Sequence, residues 1–161
     1  MKTLDEVLRE RRGMTPLPVT LTSAQAAAPD EHIFELQKLG DFANRYCLSP
    51  GKPGKKPMLD GHFLFVVLAD EPHKLYCGVS AFKVKAQNKD FVVAGHTSLS
   101  KRADVMYAGD IIFVRGTLQE WTNGSGHYLP PARAHHTNLL PALRRLLPVT
   151  KFREHISVMA L

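Results

Sequence analysis

The sequence predicts a single α+β domain with two N-terminal helices, a mainly antiparallel β-sheet and a short C-terminal helix. A length of 161 residues suits one domain with its own core. Apolar residues recur at helical spacing before residue 60 and near the C-terminus, whereas strand-like runs separated by turns lie between them. We therefore divide the chain into N-terminal helices and Pro/Gly-rich linkers that pack on the sheet (1–60) and a β-rich core module with its closing helix (61–161).

The first part of the chain predicts two helices joined by a linker. Thr3-Leu4-Asp5-Glu6 has the capping-box pattern, which predicts a helix from Leu4 to Arg12. The segment Met14 to Pro29 carries prolines and many small residues and is typical of an extended linker. Asp30 is the candidate cap of a second helix, whose apolar stripe comprises Ile33, Leu36, Leu39, Ala43 and Tyr46.

From residue 61 onward the pattern favours strands. The candidates are HFLFVVLAD, KLYCGVSAFKV, DFVVAG, DVMYAGDIIFV and TLQEWT. Arg115-Gly116 predicts one tight turn, and Asn123-Gly124 is a dipeptide typical of hairpin turns. Thr137 to Leu147 predicts the closing amphipathic helix, which tolerates Pro141 only in its first turn.

The composition favours acidic partners. A net charge of +6 and a pI near 9.5 suit nucleic acid, nucleotide phosphates or an acidic protein, although the dispersed basic residues also fit a generally basic surface. Two cysteines without metal-ligand spacing indicate a reduced compartment and no metal site. No apolar run suits a membrane span and no signal peptide is apparent, so we expect no membrane partner. The expected location is the cytoplasm, or outside the cell by a specialised secretion system.

Residues 95–131 hold the densest group of candidate functional residues. His96 is followed by Ser98, and His127 stands in a Ser-Gly-His-Tyr run, so two imidazoles suited to acid–base chemistry flank one strand pair. If AGDIIFV pairs with TLQEWT, the two histidine segments converge. We therefore predict His96, Ser98 and His127 as catalytic residues. The predicted substrate-binding residues are Thr97, Lys101, Arg102, Tyr107, Asp110, Glu120, Trp121, Ser125 and Tyr128.

Several motifs carry a family resemblance. In chain order they are LYCG, His96-Thr97-Ser98, Tyr107-Ala108-Gly109, Gly116-Thr117-Leu118, Ser125-Gly126-His127-Tyr128-Leu129-Pro130 and NLLPALRRLL. From Phe63 to Leu147 the chain resembles a module of the plant IQ-motif-containing calmodulin-binding proteins and of uncharacterised, toxin-like bacterial C-terminal domains. The resemblance implies an architecture and a site, but no established reaction. Thr97 and Leu99 depart from its usual serine and aromatic residue. No IQ-type helix is apparent, so calmodulin binding is not expected.

Two functions remain open from the sequence. One is an effector- or toxin-like hydrolase or transferase acting on RNA, NAD or another nucleotide, with NAD as a substrate and no cofactor. A variant of it uses Arg45, Ser98 and Glu120 as in ADP-ribosyltransferases, although the motifs match poorly. The alternative is a non-catalytic module that binds a ligand or a protein. Its partner would be an acidic or phosphate-bearing ligand, or an immunity or host protein.

Overall fold

The computed structural model describes residues 3–4, 14–19, 26–40, 44–49, 56–126 and 128–155. The strands of this part are β1 (Phe34–Lys38), β2 (Tyr46–Ser49), β3 (Gly61–Leu68), β4 (Tyr76–Val79), β5 (Val105–Val114) and β6 (Thr117–Trp121). Its α-helices are α1 (His96–Ser100), α2 (Ala134–Thr137) and α3 (Pro141–Leu146), and 3₁₀ turns span Asp30–His32, Ala86–Phe91 and Val149–Lys151. No helix in these ranges has the length and apolarity to span a bilayer.

One sheet of six strands, ordered β2-β1-β4-β3-β5-β6, organises the described residues. Every neighbouring pair is antiparallel, which confirms the predicted α+β class with a mainly antiparallel sheet. The hairpin between β5 and β6 turns at Arg115 (φ 50°) and Gly116 (φ 82°), both in the left-handed region. Two left-handed residues in succession match the twist of paired strands, as the sequence predicts here.

The sheet curls into a half-barrel, so that its edge strand β2 approaches the turn between β5 and β6. The backbone N–H of Tyr46, on β2, donates to the carbonyl of Gly116 at 2.8 Å. The side-chain amide of Asn44 donates to the carbonyl of Leu118, on β6, at 2.9 Å. The concave face is filled by aromatic and aliphatic side chains from every strand, and Leu143 of α3 covers it. This is the main core of the protein.

The opposite, outer face of the sheet is covered by α1. Leu99 packs there with Leu64, Val66 and Ala108. A Cβ atom on Gly78 of β4 would lie 2.9 Å from a methyl carbon of Leu99, so the missing side chain is what admits the helix. The two faces therefore have separate cores, and the candidate site lies on the outer one.

The predicted second helix is wrong. Asp30–His32 forms only a 3₁₀ turn, after which the chain extends into β1 and, beyond residues 41–43, into β2. Phe34 and Leu36 are buried while Gln37 is exposed, so over these few residues a strand period fits the apolar pattern as well as a helical one. Pairing with β4 decides between them. The predicted first helix falls almost entirely on residues 5–13, which lie outside the described part of the chain.

Two other elements differ from the prediction, and in each the side-chain amide of a buried asparagine donates hydrogen bonds to backbone carbonyls. The run DFVVAG is no strand: it ends a 3₁₀ turn, in which the amide of Asn88 donates to the carbonyl of Met58 at 2.8 Å. The closing helix is split into α2 and α3 at Asn138. The amide of Asn138 donates to the carbonyls of Thr15 and Met106, each at 2.9 Å, and ties the extended segment 14–19 to the sheet. Pro141 begins α3, where a proline is tolerated.

We predict that Gly109→Ala strongly destabilises the fold. A Cβ atom at this position of β5 would lie 1.7 Å from the carbonyl oxygen of Thr122, a backbone atom that cannot move without displacing the chain after β6. We expect a loss of about 3 kcal/mol or more in the free energy of unfolding, measured by urea denaturation. Gly126→Ala is the matched control, because its Cβ would meet nothing within 4 Å. Equal losses in both variants would contradict the prediction.

Candidate functional site

Two segments distant in sequence meet at the Gly109-Asp110 dipeptide of β5. From one side, the Nε2–H of His96 donates to the carbonyl of Gly109 at 2.8 Å. From the other side, Thr122 donates its backbone N–H to the carbonyl of Asp110 at 2.8 Å. The runs AGDIIFV and TLQEWT thus pair as expected, and the convergence of the two histidine segments stays a prediction. His127, the second predicted catalytic histidine, lies outside the described residues.

The His-Thr-Ser motif forms the buried start of α1. His96, Thr97 and Ser98 are all at most 6% exposed. Because a carbonyl oxygen only accepts, the bond to Gly109 requires the proton of a neutral His96 to sit on Nε2, which leaves the lone pair on Nδ1. The hydroxyl of Ser98 is buried without a hydrogen-bond partner among the described residues. Buried hydroxyls are normally satisfied, so this one has unused bonding capacity.

Tyr128 joins the loop after β6 to the end of α1. Its hydroxyl lies 2.5 Å from Oγ of Ser100 and donates to the carbonyl of Ala103 at 2.6 Å. The ring is 2% exposed and packs in the outer-face core. Tyr128 therefore stabilises the contact between α1 and the loop after β6.

Asn123-Gly124 does not form the predicted hairpin turn, since no described strand follows β6. The side chain of Asn123 instead links two chain segments: its amide donates to the carbonyl of Pro130 at 2.9 Å, and its Oδ1 accepts the N–H of His155 at 2.7 Å. A Cβ atom on Gly124 would lie 3.0 Å from Oδ2 of Asp110. The glycine thus lets the loop pass directly over that carboxyl group.

Asp110 is the most perturbed acid of the site. Burial raises its pKa from 3.8 to about 6, and the nearby carboxylate of Glu120 adds to the rise. His155 and Arg153 act in the opposite direction, and Nε of Arg153 donates to Oε2 of Glu120 at 2.5 Å. A half-buried carboxyl group whose pKa lies near neutrality is suited to general acid–base catalysis.

Basic side chains continue beyond Glu120 on the same face. His62, on β3, has a pKa lowered by burial and by the charges of Lys83 and Lys85, while Glu120 opposes the shift. The ring of exposed Phe82 contacts the ring of His62 edge-on, with centroids 5.0 Å apart. The carboxylates of the site are therefore bordered by cations.

The sequence analysis missed several of these groups. Arg153 and His155 belong to no motif, and only the three-dimensional path of the chain after Phe152 brings them to Asp110. His62 had a weak signal, because a polar residue at the start of an otherwise apolar strand faces outward from the concave core.

Two of the predicted substrate-binding residues lie on the concave face of the sheet. Tyr107 and Trp121 are 0% and 1% exposed and lie in the concave core, with ring centroids 5.9 Å apart. Nε1 of Trp121 donates to the carbonyl of Pro148 at 2.7 Å, whereas the hydroxyl of Tyr107 has no partner among the described residues. The structure thus does not bring either ring to the Asp110 site.

The remaining predicted residues divide between the helix end and the loop. Lys101 and Arg102 follow α1 at φ 55° and 67°, and both are exposed. Nζ of Lys101 lies 2.7 Å from a carboxylate oxygen of Asp30. Ser125 follows Gly124, is 5% exposed, and its hydroxyl, like that of Ser98, has no partner among the described residues.

The ADP-ribosyltransferase arrangement is not assembled. Arg45 precedes Tyr46, which bonds to Gly116 beyond the far end of β5. His96, two residues before Ser98, bonds to Gly109. At ~3.3 Å per residue, the part of β5 from Gly109 to its far end spans about 15 Å. In the described ranges, no three His, Cys, Asp or Glu side chains are grouped as metal ligands.

Comparisons with family models, curated proteins and solved structures found no match to this chain.

We predict that Asp110→Asn stabilises the fold at neutral pH. Between pH 3.8 and about 6 the folded state of the wild type binds the proton more tightly than the unfolded state. Stability from this group is therefore fully present below pH 3.8 and is lost as the pH rises through 6. The variant lacks that loss, so urea denaturation at pH 7 should show a gain on the order of 2 kcal/mol, absent at pH 3.5. The control is Asp104→Asn, which removes an exposed carboxyl group just before β5. An equal gain in its free energy of unfolding would show that the effect comes from net charge and not from the burial of Asp110.

We also predict that the two neighbouring charges move the pKa of Asp110 in opposite directions. Glu120→Gln removes a negative charge and should lower it, whereas Arg153→Gln removes a positive charge and should raise it. Carboxyl ¹³C shifts followed through a pH titration measure both changes. Shifts of the same sign in the two variants would show that these charges do not control Asp110.

Proposed function

We propose that the chain is an enzyme that performs acid–base chemistry on a phosphate-bearing substrate such as RNA, NAD or another nucleotide. The observation that carries this proposal is the Asp110 carboxyl group, whose pKa of about 6 makes it a competent proton acceptor at neutral pH. The hypothesis from the sequence assigned the acid–base chemistry to His96 and His127, whereas this proposal assigns it to Asp110.

Asp110 acts as the general base in this proposal. Once deprotonated, the carboxylate removes a proton from a water molecule or a substrate hydroxyl, and that oxygen attacks phosphorus in RNA or the nicotinamide-bearing ribose carbon in NAD. The bond to the leaving group breaks in the same step: the ribose 5′-oxygen of RNA leaves and takes up the proton now held by Asp110, whereas nicotinamide leaves as a neutral molecule and Asp110 returns its proton to solvent. His96 is a positioning residue, because its bond to Gly109 fixes the backbone immediately before the base. The exposed guanidinium of Arg153 and the imidazole of His155 are placed to offset the charge that develops on phosphate oxygens.

The covered hydroxyls of Ser98 and Ser125 limit the roles those serines have. Both oxygen atoms are buried. The acid–base chemistry is therefore assigned to Asp110 and not to either serine.

A non-catalytic binding module is the second candidate. The specific observation that favours it is that His96, the residue expected to carry protons, is 6% exposed and donates its Nε2–H to the scaffold. In a module, Asp110 and the surrounding cations bind the ligand without turnover. The two functions differ in whether a substrate is consumed.

We expect purified wild-type protein to cleave RNA or to release nicotinamide from NAD, and Asp110→Asn to lose activity by about 10²-fold or more. The rate should rise through pH 6 as the base deprotonates. The control is Asp104→Asn, which removes one exposed carboxylate and should retain activity. Since Asp110→Asn is expected to be more stable than the wild type, misfolding does not account for the loss.

Growth of bacteria that express each variant tests the effector or toxin hypothesis in parallel. Growth arrest by the wild type and by Asp104→Asn, but not by Asp110→Asn, would support a toxic enzyme. Calorimetric binding of the same nucleotides without product would instead identify the module. Activity that persists in Asp110→Asn would overturn the catalytic assignment.

A further inference from the structure

One arginine and two histidines line a small cavity on the side of the sheet opposite α1. The cavity has a volume of about 230 Å³ and lies between α2, α3 and the 3₁₀ turn that follows them. Its lining consists of His135, His136, Leu139, Arg144, Leu147 and Val149. No lining residue is acidic, and among the described residues no carboxylate forms a salt bridge with Arg144 or either histidine.

The arginine of this cavity is held in place by the backbone. Nε of Arg144 donates to the carbonyl of Leu139 at 3.2 Å, and Nη2 donates to the carbonyl of His136. These bonds restrain a side chain that otherwise loses considerable rotamer freedom on binding. A fixed guanidinium group beside a cavity is a preorganised receptor for an oxyanion.

The two histidines contribute ring N–H groups that can donate hydrogen bonds. Their ring centroids lie only 3.8 Å apart, so these neighbouring side chains lie side by side. His135 packs against Phe152 and Trp121, with centroids 4.8 and 5.9 Å away, and this packing limits its movement. Burial, His136 and Arg144 all lower its pKa. An anion in the cavity would offset the lowering of this pKa by His136 and Arg144.

We propose that this cavity is a binding site for an oxyanion carried on a small apolar group, such as an aryl phosphate or an aryl carboxylate. Arg144 and His136 bind the oxyanion, and His135 borders it. Leu139, Leu147 and Val149 provide the apolar wall, of which Val149 is largely exposed and would be covered by the ligand. The volume suits one anionic group with a single ring and excludes a complete dinucleotide.

This site is separate from the proposed catalytic centre. His135 contacts Trp121 of the concave core, whereas Asp110 faces the loop after β6 on the outer side. Binding here therefore does not depend on the proposed enzymatic function, and Asp110→Asn should leave it unchanged.

Titration of ¹⁵N-labelled protein with phenyl phosphate, followed by NMR, tests the proposal. We expect saturable shifts centred on His135, His136 and Val149, with a millimolar or tighter Kd. Arg144→Gln should weaken binding by about tenfold or more, since one charge-assisted hydrogen-bonding partner is lost. Arg145→Gln is the matched control, because it removes the same charge from the next residue of α3, which lines a different groove.

Further probes define the chemistry of the ligand. Benzoate should bind at the same residues, and the ratio of its affinity to that of phenyl phosphate distinguishes a carboxylate from a phosphate ligand. Phenol, which has the ring without the anion, should not bind. His136→Gln keeps the backbone carbonyl that holds Arg144 and should also weaken binding, so the test does not rest on one variant. Absence of saturable shifts, equal binding of phenol, or equal losses in Arg144→Gln and Arg145→Gln would overturn the proposal.

Discussion

The contact between Gly109 and the carbonyl of Thr122 is the constraint on which the rest of the site depends. No side chain fits between them, since even a methyl group would overlap the oxygen atom. With this approach the chain leaves β6 across β5 and carries Gly124 and Ser125 over the carboxyl group of Asp110. The same glycine accepts the hydrogen bond of His96. One residue without a side chain thus determines where the helix, the loop and the acid meet.

The burial that makes Asp110 destabilise the folded state also suits its carboxyl group to proton exchange. Partial burial disfavours its charged form and raises its pKa into the range in which a carboxyl group exchanges protons at neutral pH. Glu120 adds to this cost, and its pairing with Arg153 prevents two uncompensated carboxylates on one face. Structural acids are normally paired or fully hydrated, so this arrangement is typical of a functional site.

Much of the sheet could be predicted from the sequence, and the connections could not. Strands β3, β5 and β6 have strong local signals, namely continuous apolar runs and the Arg115-Gly116 turn. The segment from Asp30 to Tyr46 fits two periods, and only pairing partners elsewhere in the chain choose the strand. Asn123 and Asn138 look like ordinary turn residues, yet each uses its amide to bind segments far away in sequence. The motif pointed to the neighbourhood of Asp110, but the electrostatics of that carboxyl group depend on Arg153 and His155, which no local pattern connects to it.

The bond between Ser100 and Tyr128 has a consequence for how the protein folds. It joins two residues that are 28 positions apart and encloses the whole β5–β6 hairpin between them. The bond to Ala103 closes nearly the same loop. Short loops cost little chain entropy to close, so the hairpin, α1 and the loop after β6 can assemble as one local unit. Strands β1 and β2 join this unit from a more distant part of the chain.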